Sequence, residues 1–280
     1  MTNSYVSLDT LKSSGVLNIT GSGDDTRLRT LIEAVSRVVD GHCNRHFYVF
    51  KGTKLFDGGG ALNLHLPDLV SVDTGGLKTD DNRDRTFETT WAMSDYRLMP
   101  SNAAPSDGAN PASRPYTRLS VDVESGSKGE FPRGVETVQV TGQWGWWLHL
   151  TRASETANAV ADAITLTVTV SSRVDVRAGH TVIIDSEQMY VQSYSGNTLT
   201  VVRGVNGTAA ASHADSSTID IYEYPGPITE GTIIQTARFW RRKDSAFSVA
   251  VGPSTPGMGL DDDVRLLLGQ FRRRAIGVGI

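Results

Sequence analysis

"DDTRLRTLIEAVSRVVDGH", residues 24–42, sets Leu28, Leu31, Ile32, Val35, Val38 and Val39 on one stripe at helical spacing. The stretch predicts an amphipathic helix, capped and favourably charged by Asp24 and Asp25 and ending near Gly41 and His42. So wide a stripe needs cover. A shorter helix is predicted at residues 8–13, entered through Ser7 and ended by Gly15. Near the other end, residues 228–243 place Ile233, Ala237 and Trp240 on one face and Arg238, Arg241 and Arg242 on another. A last helix over 261–274 carries Val264, Leu267, Leu268 and Phe271. Asp261, Asp262 and Asp263 begin it and Arg272, Arg273 and Arg274 finish it, as the helix dipole favours. These stripes predict that the terminal helices pack on each other as one bundle, which the β segments interrupt.

Between the helices the period changes. From Phe47 to Trp146, runs such as "FYVFKGTKLF", "LVSVD", "YTRLSVDV" and "ETVQVTGQW" are separated by Gly, Pro, Asn and Asp clusters and read as antiparallel strands. Residues 100–115 read as a long loop. Residues 151–163 read as a small polar linker, after which five short strands fit within 164–224, with a hairpin turn at Ser195, Gly196 and Asn197. The expected fold class is α+β. It has a helical-bundle core formed by 1–150 and 225–280, an antiparallel β region at 47–146, and an inserted small all-β barrel or sandwich at 164–224.

Composition narrows the function classes. The 280 residues are 39% apolar with a formal net charge of −4, which disfavours a general polyanion binder. A single cysteine, Cys43, excludes an intrachain disulfide framework. The N-terminal residues lack a basic region followed by an apolar stretch, and no long apolar run occurs. The reading therefore expects a soluble protein made in a reducing cytoplasm, without a membrane segment.

Candidate chemistry is sparse. His42, Cys43 and His46 come nearest to a metal constellation, yet a closed zinc site needs four ligands and no second Cys pair exists, so no metal is expected. The acidic groups at Asp80 and Asp81 and at Asp261 to Asp263 read as caps and loop solvation. No nucleophile elbow, phosphate-binding loop or dinucleotide fingerprint is present. The reading is of a protein that is not an enzyme and takes no cofactor. "QWGWW", residues 143–147, offers either a stacking platform or interior aromatics. "TARFWRRKDSAF", residues 236–247, offers either a nucleic-acid grip or a helix whose Trp240 packs inward while its basic residues meet acidic protein surface.

In their order, "YVSLDTLKSSGVL", "DDTRLRTLIEAVSRVVDGHCNRHF", "DYRLMPSN", "GVETVQVTGQWGW", "ARFWRRKDSAF" and "LDDDVRLLLGQFRRR" resemble the head–tail connector proteins of tailed bacteriophages. Residues 164–224 lie outside the minimal connector pattern and are similar to a small β-module that recurs in phage virion proteins. The resemblance implies a virion neck protein, assembled in the host cytoplasm as a ring, typically of twelve subunits, beneath the portal. Such a ring extends the DNA channel without binding DNA sequence-specifically and offers a platform for the next neck, stopper or tail protein. By resemblance, Phe271, Arg272, Arg273, Arg274, Ala275, Ile276 and the tail to Ile280 would dock on the portal, as a disordered segment ordered by docking. Arg238, Arg241, Arg242 and Lys243 would meet an acidic protein surface or a neighbouring subunit. Two other classes stay open: a DNA-binding protein using the Arg-rich helix 228–243, and a virion surface protein that binds carbohydrate or decorates the capsid.

Overall fold

The computed structural model describes residues 3–17, 19–106, 113–242 and 260–273. In chain order come helices α1 (Leu8–Ser13) and α2 (Asp25–Cys43), then strands β1 (Phe50–Gly58), β2 (Asn63–Thr79), β3 (Thr89–Thr90), β4 (Tyr96–Met99), β5 (Tyr116–Val121) and β6 (Gly134–Trp144). Strands β7 (His149–Ala157), β8 (Thr167–Thr169), β9 (Thr181–Ile184), β10 (Glu187–Ser195), β11 (Thr198–Val202) and β12 (Ser217–Glu223) follow, and then helices α3 (Gly226–Arg242) and α4 (Asp262–Leu268). The helical-bundle core expected from the sequence is corrected: the described residues are mostly antiparallel β, two six-stranded sheets with four short helices. The stripe of α2 is real, but two of its members, Leu31 and Val38, are left half-buried and exposed.

Two compact units divide the chain along boundaries other than those read from sequence. One comprises Met1–Arg45, Leu150–Val205 and Ala209–Ile280, and the other His46–His149 with Asn206–Thr208. In the first unit, the helices and the second sheet share one body. Val6, Leu8, Leu11, Leu28 and Ile32 pack with Ile233, Ala237 and Trp240, and with Ala178 and Tyr194 from the sheet. The amide of Leu8 donates to the carbonyl of Ala178 at 2.9 Å, and the hydroxyl of Tyr194 donates to Asp9 at 3.0 Å.

The sheet of this unit runs β7-β12-β9-β10-β11-β8. A bridge between Ala157 and Val170, with the Asn158 amide on the Thr169 carbonyl at 2.8 Å, joins its two outermost strands. The result is a closed barrel filled by Val168, Val182, Ile184, Met189, Val191, Leu199, Val201, Ile219 and Ile221, and closure removes the unpaired edges of an open sheet. Five of its strands fall within 164–224, and the Gly196 turn, at φ 56°, joins β10 to β11 as expected. The sixth strand, β7, is the segment read as a linker. Its inward positions are Ala153, Glu155 and Ala157, too small or too polar to register as an apolar alternation. Buried Glu155 is satisfied by the amides of Val174, Asp175 and Val176 at 2.7–3.3 Å.

The second unit is a sheet of order β1-β6-β2-β5-β4, with β3 paired to β2. Strand β2 spans 17 residues and unites two runs that read as separate strands, because irregularities between His65 and Leu69 and between Val72 and Leu77 let one chain pair with β5, β6 and β3. Gly142 sits where β6 presses on β2: a Cβ there would lie 2.1 Å from the Ser71 carbonyl oxygen. Leu64, Leu66, Leu69, Leu77, Leu119, Val138, Val140, Trp91, Phe131 and Trp144 form the core. The chain enters and leaves this unit side by side, with the amide of Trp146 donating to the carbonyl of His46 at 3.0 Å.

Candidate functional site

The basic helix face is the first site to place. On α3, Ile233, Ala237 and Trp240 turn inward, Trp240 being only 7% exposed. Arg238 reaches back to the acidic start of α4. One of its terminal nitrogens lies 2.6 Å from Asp261 Oδ2, off hydrogen-bond alignment, and the other donates to Asp263 at 2.6 Å. Arg242 approaches Asp261 at 3.7 Å, and Arg241 donates to the carbonyl of Val16 at 2.7 Å. The acidic surface expected opposite these arginines thus includes one from the same chain, two helices of one unit clasped by charge. Lys243 lies outside the described residues. Arg238 is two-fifths exposed, so screening limits the pair. Replacing Arg238 with Ala should cost no more than about 1 kcal/mol, and high salt should shrink that loss in thermal unfolding.

Beside this clasp lies a groove of about 480 Å³ between α2 and α3, lined by Arg27, Thr30, Leu31, Ala34, Phe239, Trp240 and Arg242. Its floor is the edge of Trp240, over which the Arg27 guanidinium sits 5.7 Å from the ring centroid. Ala34 and Arg27 are exposed and Phe239 is half-buried, while Val38, 42% exposed, continues the apolar strip one turn further along α2. An apolar trough rimmed by two guanidinium groups is suited to a protein surface that carries both aliphatic side chains and carboxylates. Periodicity alone could not reveal it, because it placed Leu31 and Val38 in a buried stripe.

The other sequence candidates separate. Of the three tryptophans in "QWGWW", Trp144 is interior, 1% exposed, its indole N–H donating to the Gly52 carbonyl at 2.9 Å. Trp146 lies against Phe47 with ring centroids 6.3 Å apart. Trp147 stacks on His149 at 5.1 Å and 9°. They make no common platform. Cys43 is fully buried, and burial pushes its thiol up to about 12, so it is a neutral donor directed at the Leu268 carbonyl. His42 is lowered by burial, then by Arg272 and Arg265. Neither belongs to a metal-ligand cluster among the described residues.

One carboxylate set does converge. Oxygens of Asp80, Asp84 and Glu88 lie within 4.8 Å of one another, a donor chemistry that hard cations favour. The same Asp80 oxygens already accept the amides of Arg83, Asp84 and Arg85 at 2.6–3.2 Å, the loop-capping role read from the sequence.

No family model, curated protein or solved structure matches this chain. Of the residues assigned to portal docking, Phe271 closes the short turn after α4 and is 9% exposed, Arg272 is exposed, and the amide of Arg273 donates to the Cys43 carbonyl at 2.8 Å. Arg274, Ala275, Ile276 and Ile280 lie outside the described residues.

Proposed function

We propose that this chain is a structural protein of a tailed-phage virion, a head–tail connector subunit that assembles as a ring under the portal. In that role it extends the DNA channel, carries the next neck or tail protein, and performs no catalysis. The observation that carries the proposal is the apolar groove on α2 and α3. It is built by "TRLRTLIEA" and "ARFWRR", two of the segments on which the connector resemblance rests, and a concave apolar surface on helices is a feature of chains that work by assembly. We assign it to a neighbouring copy in the ring. A surface on one copy that receives a different surface of the next is a heterologous contact, the kind that closes into rings. The tail beyond Phe271 is then the segment offered to the portal, with Arg272 at its root.

The internal use of Arg238 weighs against the DNA-grip alternative, since Asp261 and Asp263 already engage that cation. The dispersal of the "QWGWW" rings weighs against a carbohydrate platform. Native mass spectrometry, with and without portal from the same phage, tests the proposal. A discrete ring, or a portal complex with a fixed number of copies, is expected from the unaltered chain. Phe239→Glu, which sets a carboxylate in the trough while leaving Trp240 in place, should give monomers of unchanged secondary structure. A monomer that ignores portal but binds duplex DNA would overturn the connector reading.

A further inference from the structure

In the second unit, β5 lies between β2 and β4, and the register sets His65, Arg118 and Met99 side by side across the three strands. Their neighbours Leu64, Leu119 and Leu98 are likewise aligned and contribute to the core. Successive strand residues point to opposite faces, so Arg118 projects from the other side. There it joins a pocket of about 280 Å³, lined by His65, Met99, Pro100, Ser101, Asn102, Arg114, Thr117 and Arg118.

The lining is rich in hydrogen-bond donors: two guanidinium groups, an imidazole, two hydroxyls and an amide. Among the described residues it contains no carboxylate. Elsewhere in the same unit cations do find one, Arg97 on Asp122 at 2.7 Å and Lys51 on Asp73 at 3.2 Å. Among the described residues no ion pair engages Arg114 or Arg118, and Nε of Arg118 is buried without a hydrogen-bond partner. An orphaned buried donor carries a desolvation penalty that an acceptor would remove. In a chain of net charge −4, a concave site lined by cations and without an anion among the described residues has the composition of a binding site.

We propose that this pocket binds the phosphate group, as a site for an oxyanion held by Arg114 and Arg118. The several donors exceed what the two oxygens of a carboxylate can accept and approach from more than one strand, which suits a tetrahedral oxyanion. No aromatic ring lines the pocket, so nothing there would stack on a base. The chemistry is shared by free phosphate and by the backbone of a nucleic acid. The inference is independent of the connector reading, since it rests on residues outside the groove.

The test is titration calorimetry of the full chain with inorganic phosphate at low salt, with chloride at matched ionic strength as the control. Saturable binding to one site is expected. Arg118→Gln and the exposed Arg114→Gln should each weaken it roughly tenfold, with circular dichroism unchanged. Competition by a short DNA duplex, lost in the same variants, would assign the phosphate to a nucleic-acid backbone, and lack of competition would assign it to a free ion. Absence of a phosphate heat, or equal binding by unaltered chain and both variants, would overturn the proposal.

Discussion

Glu187→Ala should destabilise the first unit by about 3–5 kcal/mol in urea or thermal unfolding, because it leaves a buried guanidinium without its counter-charge. Glu187 is fully buried. It accepts both arms of Arg203 at 2.6 and 2.7 Å and the amides of Gly204 and Ala211 at 2.9 and 3.0 Å, and it faces Nε2 of His213 at 2.8 Å. Arg203, whose side chain is 4% exposed, also donates to the Thr165 carbonyl at 3.0 Å. One carboxylate therefore fastens the start of β10 to the irregular segment between β11 and β12.

The same cluster fixes an acid dependence. Burial raises the Glu187 carboxyl, but Arg203, the Ala211 amide, His213 and the Gly204 amide together bring it down to about 2, from an ordinary 4.5. A folded-state value below the unfolded one gives stability that is fully present above the unfolded value and lost as pH falls toward the folded one. The contribution should hold at neutral pH and drain away between about 4.5 and 2. Glu187→Gln, which has no carboxyl to titrate, should differ most from the unaltered chain at neutral pH and converge on it through that window. A difference that stayed constant down to pH 2 would sink the assignment.

The second large effect belongs to the other unit. Trp144→Ala should cost about 3–5 kcal/mol, the range for emptying a large aromatic site in a core. Trp144 is enclosed by the sheet, its ring 5.9 Å from Phe56 and 4.8 Å from the Lys54 ammonium, and its loss also removes the indole donor from the Gly52 carbonyl. Hydrogen exchange should then accelerate first in residues 50–58, 69–79 and 134–144, the strands that pair through this position. A loss below about 1 kcal/mol would mean that the pocket collapses without strain, and that Trp144 is less central than its burial implies.

How far the sequence carried these conclusions depends on where each signal lay. α1 was legible to the residue, since Ser7 caps it through its side chain on the Thr10 amide at 3.1 Å. α2 and α3 matched to within a few residues, because a wide stripe survives small errors of register. The barrel strands β8–β12 were legible as strands because their inward positions are mostly aliphatic. β7 was not, because its inward Glu155 is stabilised by amides about twenty residues away, which no local pattern contains. α4 stops at Leu268, well short of the predicted 274: the Gly269–Phe271 segment tightens into a 3-10 turn that buries Phe271. The helical bundle failed for a global reason. Apolar stripes report that cover is needed, and here part of that cover comes from the barrel through Ala178 and Tyr194. Arg118 carried no local signal at all, since what distinguishes it is an Nε left without an acceptor.

The bond between Trp146 and His46 has an architectural meaning. Some hundred residues depart and return within the width of a single peptide pairing, and Asn206–Thr208, from the segment between β11 and β12, joins the same unit through the Lys51 amide on the Asn206 carbonyl at 2.8 Å. The sheet is thus fastened to the chain at its two ends, as a turn is, and once more at β1, so that a change in length at its far strands leaves every junction as it stands.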